Sequence, residues 1–209
     1  MLKDRLTPHF FMAKGTNDVI LRDRLQFDID GNGDTDLVYG RIDLSDYVSI
    51  VENKGLAIKE IRFQLRNPEF QTGGFPVNML AAPSAPGADE VLNCSLKIFA
   101  TTTAYENVVD VGIASPNVIC VYTKEQTVLY NGSDDYALFN WRDDWFGTPD
   151  LHPEGYDLVT DLLIGVAAVG LTSVALLNDT VELDVMLIAE PKKITQRDLT
   201  QMLTQAQDL

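Results

Sequence analysis

Val91-Leu92-Asn93-Cys94-Ser95-Leu96-Lys97-Ile98-Phe99-Ala100 decides the reading of this chain. Leu92, Cys94, Leu96 and Ile98 alternate with Asn93, Ser95 and Lys97, the period of two expected of a half-buried strand. The same rhythm recurs upstream, where Ile61, Phe63 and Leu65 alternate with Arg62, Gln64 and Arg66. Leu56 and Ile58 lie in the opposite phase, and a β-bulge near Lys59-Glu60 would reconcile the two.

Further strand signals fill most of the chain. Val118–Thr123 and Thr127–Tyr130 read as a hairpin turning at Lys124-Glu125-Gln126. Leu171–Leu177 and Val181–Ala189 read as another, turning at Asn178-Asp179-Thr180. Val159–Val169 is apolar on both faces, as a central strand would be. Asn67–Gly74, Ala81–Glu90 and Asn140–Gly155 read as loops. The Pro-, Ala- and Gly-rich run within Ala81–Glu90 is short enough to be a surface loop of one domain. Nine or ten short strands separated by turn signals predict an all-β sandwich or barrel.

The end of the chain has a different pattern. Thr195-Gln196-Arg197-Asp198 is a capping box, with Ile194 placed to staple onto Leu199. Leu199, Met202, Leu203, Ala206 and Leu209 share one helical face. This predicts an amphipathic helix over 195–209, packed on its own domain or docked on a neighbouring subunit. The expected division is an N-terminal arm (1–27), a β-sandwich domain (28–190) and a C-terminal helical tail (191–209).

Hydrophobic residues make up 45% of the 209 residues and charged ones 22%, ordinary values for one globular domain. The net charge of −15 is not ordinary. Such a surface repels phosphates and anionic lipid, which disfavours direct nucleic-acid binding. Residues 1–27 carry five basic and three acidic side chains, whereas 134–161 carries eight acidic residues against Arg142 alone. Cys94 and Cys120 sit in apolar runs and read as buried free thiols. Met1–Pro8 lacks the apolar core of a signal peptide, and the apolar run Leu162–Leu171 is about half of a membrane span. These features predict a soluble product of the cytoplasm.

One segment carries a specific chemical signal: Asp28-Ile29-Asp30-Gly31-Asn32-Gly33-Asp34-Thr35-Asp36, followed by Leu37-Val38-Tyr39-Gly40. Oxygen-bearing side chains at alternate positions, with glycines that let the backbone curl, suit a hard cation taking six to eight oxygen ligands. As an EF-hand the loop lacks its clamp, because Tyr39 stands where a bidentate Glu is required, and Leu37-Val38-Tyr39 is β-prone. It resembles instead the calcium loop of FG-GAP repeats. By that resemblance Asp28, Asp30, Asn32 and Asp36 would bind Ca2+ through their side chains and Asp34 through its carbonyl. The match covers this loop once, so it does not extend to a propeller.

Catalytic patterns are scarce. The two histidines, His9 and His152, fall in no recognisable triad, and no phosphate-binding or dinucleotide motif is present. Carboxylates, an imidazole and aromatics crowd together only in Trp141–Glu154. A hydrolase site from Asp143, Asp144 and His152, or a sugar platform from Trp141, Trp145 and Tyr136, could be built there. A Trp-anchored acidic surface loop is the simpler expectation, so no enzyme activity is expected.

Gly40–Arg66, with the long final strand at Val181–Glu190 running into a short tail, resembles the layout of small viral jelly-roll coat proteins. The resemblance implies a jelly-roll-like antiparallel β-sandwich and a self-assembling capsid subunit of the virion, made in the host cytoplasm. Its partners would be copies of itself, with residues 195–209 as one docking element. A calcium-dependent carbohydrate-binding β-sandwich is the alternative.

Overall fold

A computed structural model describes residues 17–81, 90–131, 136–147, 155–198 and 200. Nine strands are present among them: β1 (Val19–Asp28), β2 (Thr35–Ile42), β3 (Lys54–Arg66), β4 (Glu90–Thr101), β5 (Val118–Asn131), β6 (Tyr136–Phe146), β7 (Tyr156–Leu158), β8 (Leu162–Val169) and β9 (Thr180–Lys193). They form two antiparallel sheets, ordered β1-β9-β3-β7 and β2-β8-β4-β5-β6.

The pairing is nested. β1 pairs with β9, β2 with β8, β3 with β7, and β4 with β5. The chain therefore doubles back on itself around the β4–β5 connection, and each successive pair falls in the other sheet until that apex. β6 then adds one strand beyond β5. Apart from the β5–β6 hairpin, the paired strands are distant in sequence.

The alternating pattern places the core. Leu96, Ile98, Ile164 and Val166 of one sheet and Leu56, Ile58, Leu183 and Leu187 of the other are buried in one cluster. Each such side chain contributes on the order of 1.5–3 kcal/mol relative to exposure. The result is a sandwich-like body with one hydrophobic core. The outer face of β4 and β5 is half covered as well. Phe99, Val111, Val118 and Val121 form a second cluster beneath residues 102–117, packed with Tyr39 and Tyr105. Lys97 holds that segment down by donating from Nζ to the carbonyls of Val111 (2.6 Å) and Val108 (3.2 Å).

Several expectations hold. The register of β3 against β9 shifts between Ile58 and Glu60, where the phase change placed a bulge. Cys94 and Cys120 are buried and unpaired. Burial pushes their thiols up, to about 11 and about 12. β8 occupies an interior position between β2 and β4.

Other expectations are corrected. Val118–Asn131 is one continuous strand, because Lys124-Glu125-Gln126 contains no turn-forming residue and each of the three pairs with β4 and β6. Residues 140–146 of the expected loop belong to β6, which pairs along its whole length with β5. Leu171–Leu177 is a turn segment rather than a strand, with Leu176 and Leu177 both donating to the Ser173 carbonyl. Residues 19–27 of the expected arm form most of β1, and 191–193 of the expected tail extend β9 against β3. Thr195 Oγ1 accepts from the Asp198 amide at 3.2 Å and donates to the Asp198 carboxylate at 2.6 Å, so the N-cap half of the capping box is formed, and Ile194 is buried against Val159. Gln196–Asp198 make a short helical turn; the rest of the expected apolar stripe, Leu199 and 201–209, lies outside the described residues.

Candidate metal loop and aromatic strand

Residues 29–34 carry the chain from β1 in one sheet to β2 in the other. Local hydrogen bonding fixes the path. The Asp30 carboxylate accepts the amides of Asn32 and Asp34 through Oδ1, both at 2.8 Å, and the Asn32 side-chain amide at 3.3 Å through Oδ2. These donors, the Asp34 amide foremost, hold its carboxyl below the usual carboxylate range. The Asp30 amide in turn donates to the Asp34 carbonyl at 2.9 Å.

The loop is also tied to the turn before β9. Ile29 is buried and donates from its amide to the Asp179 carbonyl at 3.0 Å, while Leu171 donates to the Gly33 carbonyl at 2.9 Å. Asp34 Oδ1 accepts the Gly170 amide at 2.8 Å, and Asp28 Oδ1 accepts the Thr180 hydroxyl at 2.6 Å. Asp28, Asp30 and Asp34 are thus engaged with donors of the protein itself. Among the described residues, no three acidic, histidine or cysteine side chains are gathered as a metal cluster. As placed, the loop is a hydrogen-bonded joint between the sheets, and a calcium ion would compete with these donors for the carboxylates of Asp28, Asp30 and Asp34.

β6 redistributes the other candidate residues. Neighbouring side chains of a strand point to opposite faces. Asp143 therefore turns to the core side, accepting from Lys124 Nζ at 3.0 Å and from the Tyr122 hydroxyl at 3.0 Å. Burial and the Asp143 charge push the Tyr122 phenol up to about 12. Asp144 turns outward and pairs with Arg142. The two carboxylates lie on opposite faces of β6, and His152 and His9 lie outside the described residues.

The tryptophans separate too. Trp145 packs against Phe63 (5.1 Å between ring centroids) and Tyr122 (5.6 Å) at the margin of the core. Trp141 is 46% exposed and stacks on Phe139, with centroids 5.8 Å apart and planes at 14°. The side chain of Tyr136, the first residue of β6, lies outside what the structure describes. Of the residues expected to form a sugar platform, Trp145 is taken up in packing with Phe63 and Tyr122, and Trp141 stands exposed beside Phe139. Sequence reasoning missed Phe139, although its place two residues before Trp141 would have put both on one side of a strand.

No helix among the described residues is long and apolar enough to cross a membrane. No protein-family model matches the chain, and no curated protein matches it.

Proposed function

We propose that this chain is a structural, self-assembling subunit, a viral capsid protein built on a single jelly roll and assembled in the host cytoplasm into the virion. The observation that carries the reading is the nested pairing of β1 with β9, β2 with β8, β3 with β7 and β4 with β5. Two Greek keys wound into a double sheet give that order, and capsid domains are among the proteins built this way. Lectins and cupins use the same architecture, so the coat reading also draws on the layout of the sequence and on the lack of a recognisable catalytic motif. The net charge of −15 keeps direct genome neutralisation out of the proposal.

Electron microscopy of the purified protein, paired with light scattering, tests this reading. Closed assemblies of uniform size are the expected result. Monomers at high concentration, with and without calcium, would overturn it. A monomer that binds glycans through Trp141 would select the carbohydrate-binding alternative, which the exposed Phe139–Trp141 stack favours.

Calcium enters the proposal as a stabiliser of the loop between the sheets, held by Asp28, Asp30, Asn32 and Asp36. Four oxygen-bearing side chains within nine residues, curled by Gly31 and Gly33, support it. Because metal would bind the folded loop and not the unfolded chain, added calcium should raise the melting temperature. Asp30→Ala should lower the melting temperature without calcium and abolish the calcium-dependent rise. An unchanged melt of the parent protein in millimolar calcium sinks this part of the proposal.

A further inference from the structure

We infer that the free edge of β6 pairs antiparallel with β6 of a second copy of this chain, about a two-fold axis, joining two sheets into one. This rests on the self-assembly reading above and assigns it a contact surface.

β6 is the outermost strand of its sheet, and no described residue pairs with its far side. Proteins blunt such edges with brevity, bulges, charge or proline, because an open row of N–H and C=O groups is a template for another strand. Two of the other three edges are blunted. β7 is three residues long, and β2 is bulged between Thr35 and Val38. β1, like β6, is long and carries a charged run, Arg22-Asp23-Arg24, but of its large apolar side chains only Ile20 is exposed (38%). β6 spans eleven residues with no register shift, glycine or proline. It also exposes apolar side chains on both faces: Leu138 (57%) and Phe146 (37%) on one, Phe139 (41%) and Trp141 (46%) on the other. A ligand lying on one face of the sheet would cover only one of these sets, whereas a strand alongside approaches both.

The occupant is a second copy because the charges of β6 complement themselves. Arg142 and Asp144 lie on one face and form an ion pair. In an antiparallel pair centred on Asp143, Arg142 stands opposite Asp144 of the second copy, and Asp144 opposite its Arg142. The four charges then alternate in sign, the favourable cross-strand arrangement. Asp143, on the axis, turns to the other face, where its own Lys124 balances it at 3.0 Å. The same register sets Trp141 opposite Trp145 of the second copy, extending the Phe63–Trp145–Tyr122 cluster.

The test uses the full chain and two readouts: the dissociation constant from light scattering over a concentration series, and hydrogen exchange of the 140–146 amides. Arg142→Asp puts four carboxylates where the charges alternated and should weaken association about tenfold or more. The double variant Arg142→Asp with Asp144→Arg restores the alternation and should recover most of it. Trp141→Lys, at an exposed site, should weaken association with unchanged circular dichroism. The 140–146 amides should gain protection as concentration rises. Variants that associate as tightly as the parent, or edge amides that exchange freely inside an assembly, would overturn the inference and leave the coat reading standing. Protection independent of concentration would mean that a segment of the same chain covers the edge, which also overturns it. A β6-dependent dimer without closed shells would sustain the inference while the coat reading fails, and a persistent monomer would overturn both.

Discussion

Replacing Gln126 with leucine is expected to destabilise the protein by about 3 kcal/mol, a fall of roughly 10 °C in melting temperature for a chain of this size. Gln126 is 1% exposed, inside β5. Its Oε1 accepts the amides of Met79 (2.7 Å) and Leu80 (3.1 Å), two residues that are themselves buried. Its Nε2 donates to Asn78 Oδ1 at 3.4 Å. Leucine fills nearly the same volume, so little cavity forms, but both amides lose their acceptor away from water. Leaving a buried donor unsatisfied costs about 1–3 kcal/mol, far more than a hydrogen bond contributes net. The side chain is also what anchors the segment after β3 against the second sheet. Urea or thermal unfolding measures the loss. An unchanged melt would mean that water enters and takes over the carbonyl's role, which requires a polar space that leucine would have to leave open.

Gln126 also explains one misreading of the sequence. Lys124-Glu125-Gln126 is a polar break in an apolar run, and such breaks usually mark turns. Here each residue has a strand reason: Lys124 faces Asp143, Glu125 lies opposite Arg142 across the ladder, and Gln126 satisfies two amides. None of these partners is near in sequence, so period alone could not reveal them. By contrast, the bulge at Lys59-Glu60 was legible because it reverses the phase of a single strand's alternation. The all-β character was legible for the same reason. The nested pairing was not, since it depends on which distant strands meet.

The candidate sites divide along the same line. The residues of the Asp28–Asp36 loop are evident from composition and spacing, but where the Asp28 and Asp34 carboxylates point depends on Thr180 and Gly170, far along the chain. Asp143 and Asp144 look like a pair in sequence and part company because consecutive strand residues face opposite ways. That Trp141–Phe146 lies on a sheet edge follows from strand order, a property of the whole fold.

Gly33→Ala should cost about 3 kcal/mol or more, and Gly31→Ala at most about 1 kcal/mol, although both glycines sit in the same loop. Gly33 has φ +85°, in the left-handed region, and a Cβ there would lie 2.1 Å from the Leu171 carbonyl oxygen and 2.8 Å from the Leu171 nitrogen. Both are backbone atoms, and that backbone is fixed by the Leu171 hydrogen bond to the Gly33 carbonyl. Relief would require breaking the bond that ties the loop to the second sheet. At Gly31 the nearest atom to a Cβ is Asn178 Oδ1 at 3.2 Å, the end of a side chain that can swing aside. Thermal unfolding of the two variants without calcium tests the joint itself, independently of any metal. Equal, small losses in both would show that the loop does not join the sheets as rigidly as its hydrogen bonds imply. A large loss confined to Gly33→Ala would establish the joint, and the calcium response of Asp30→Ala would then report separately on whether a cation adds to it.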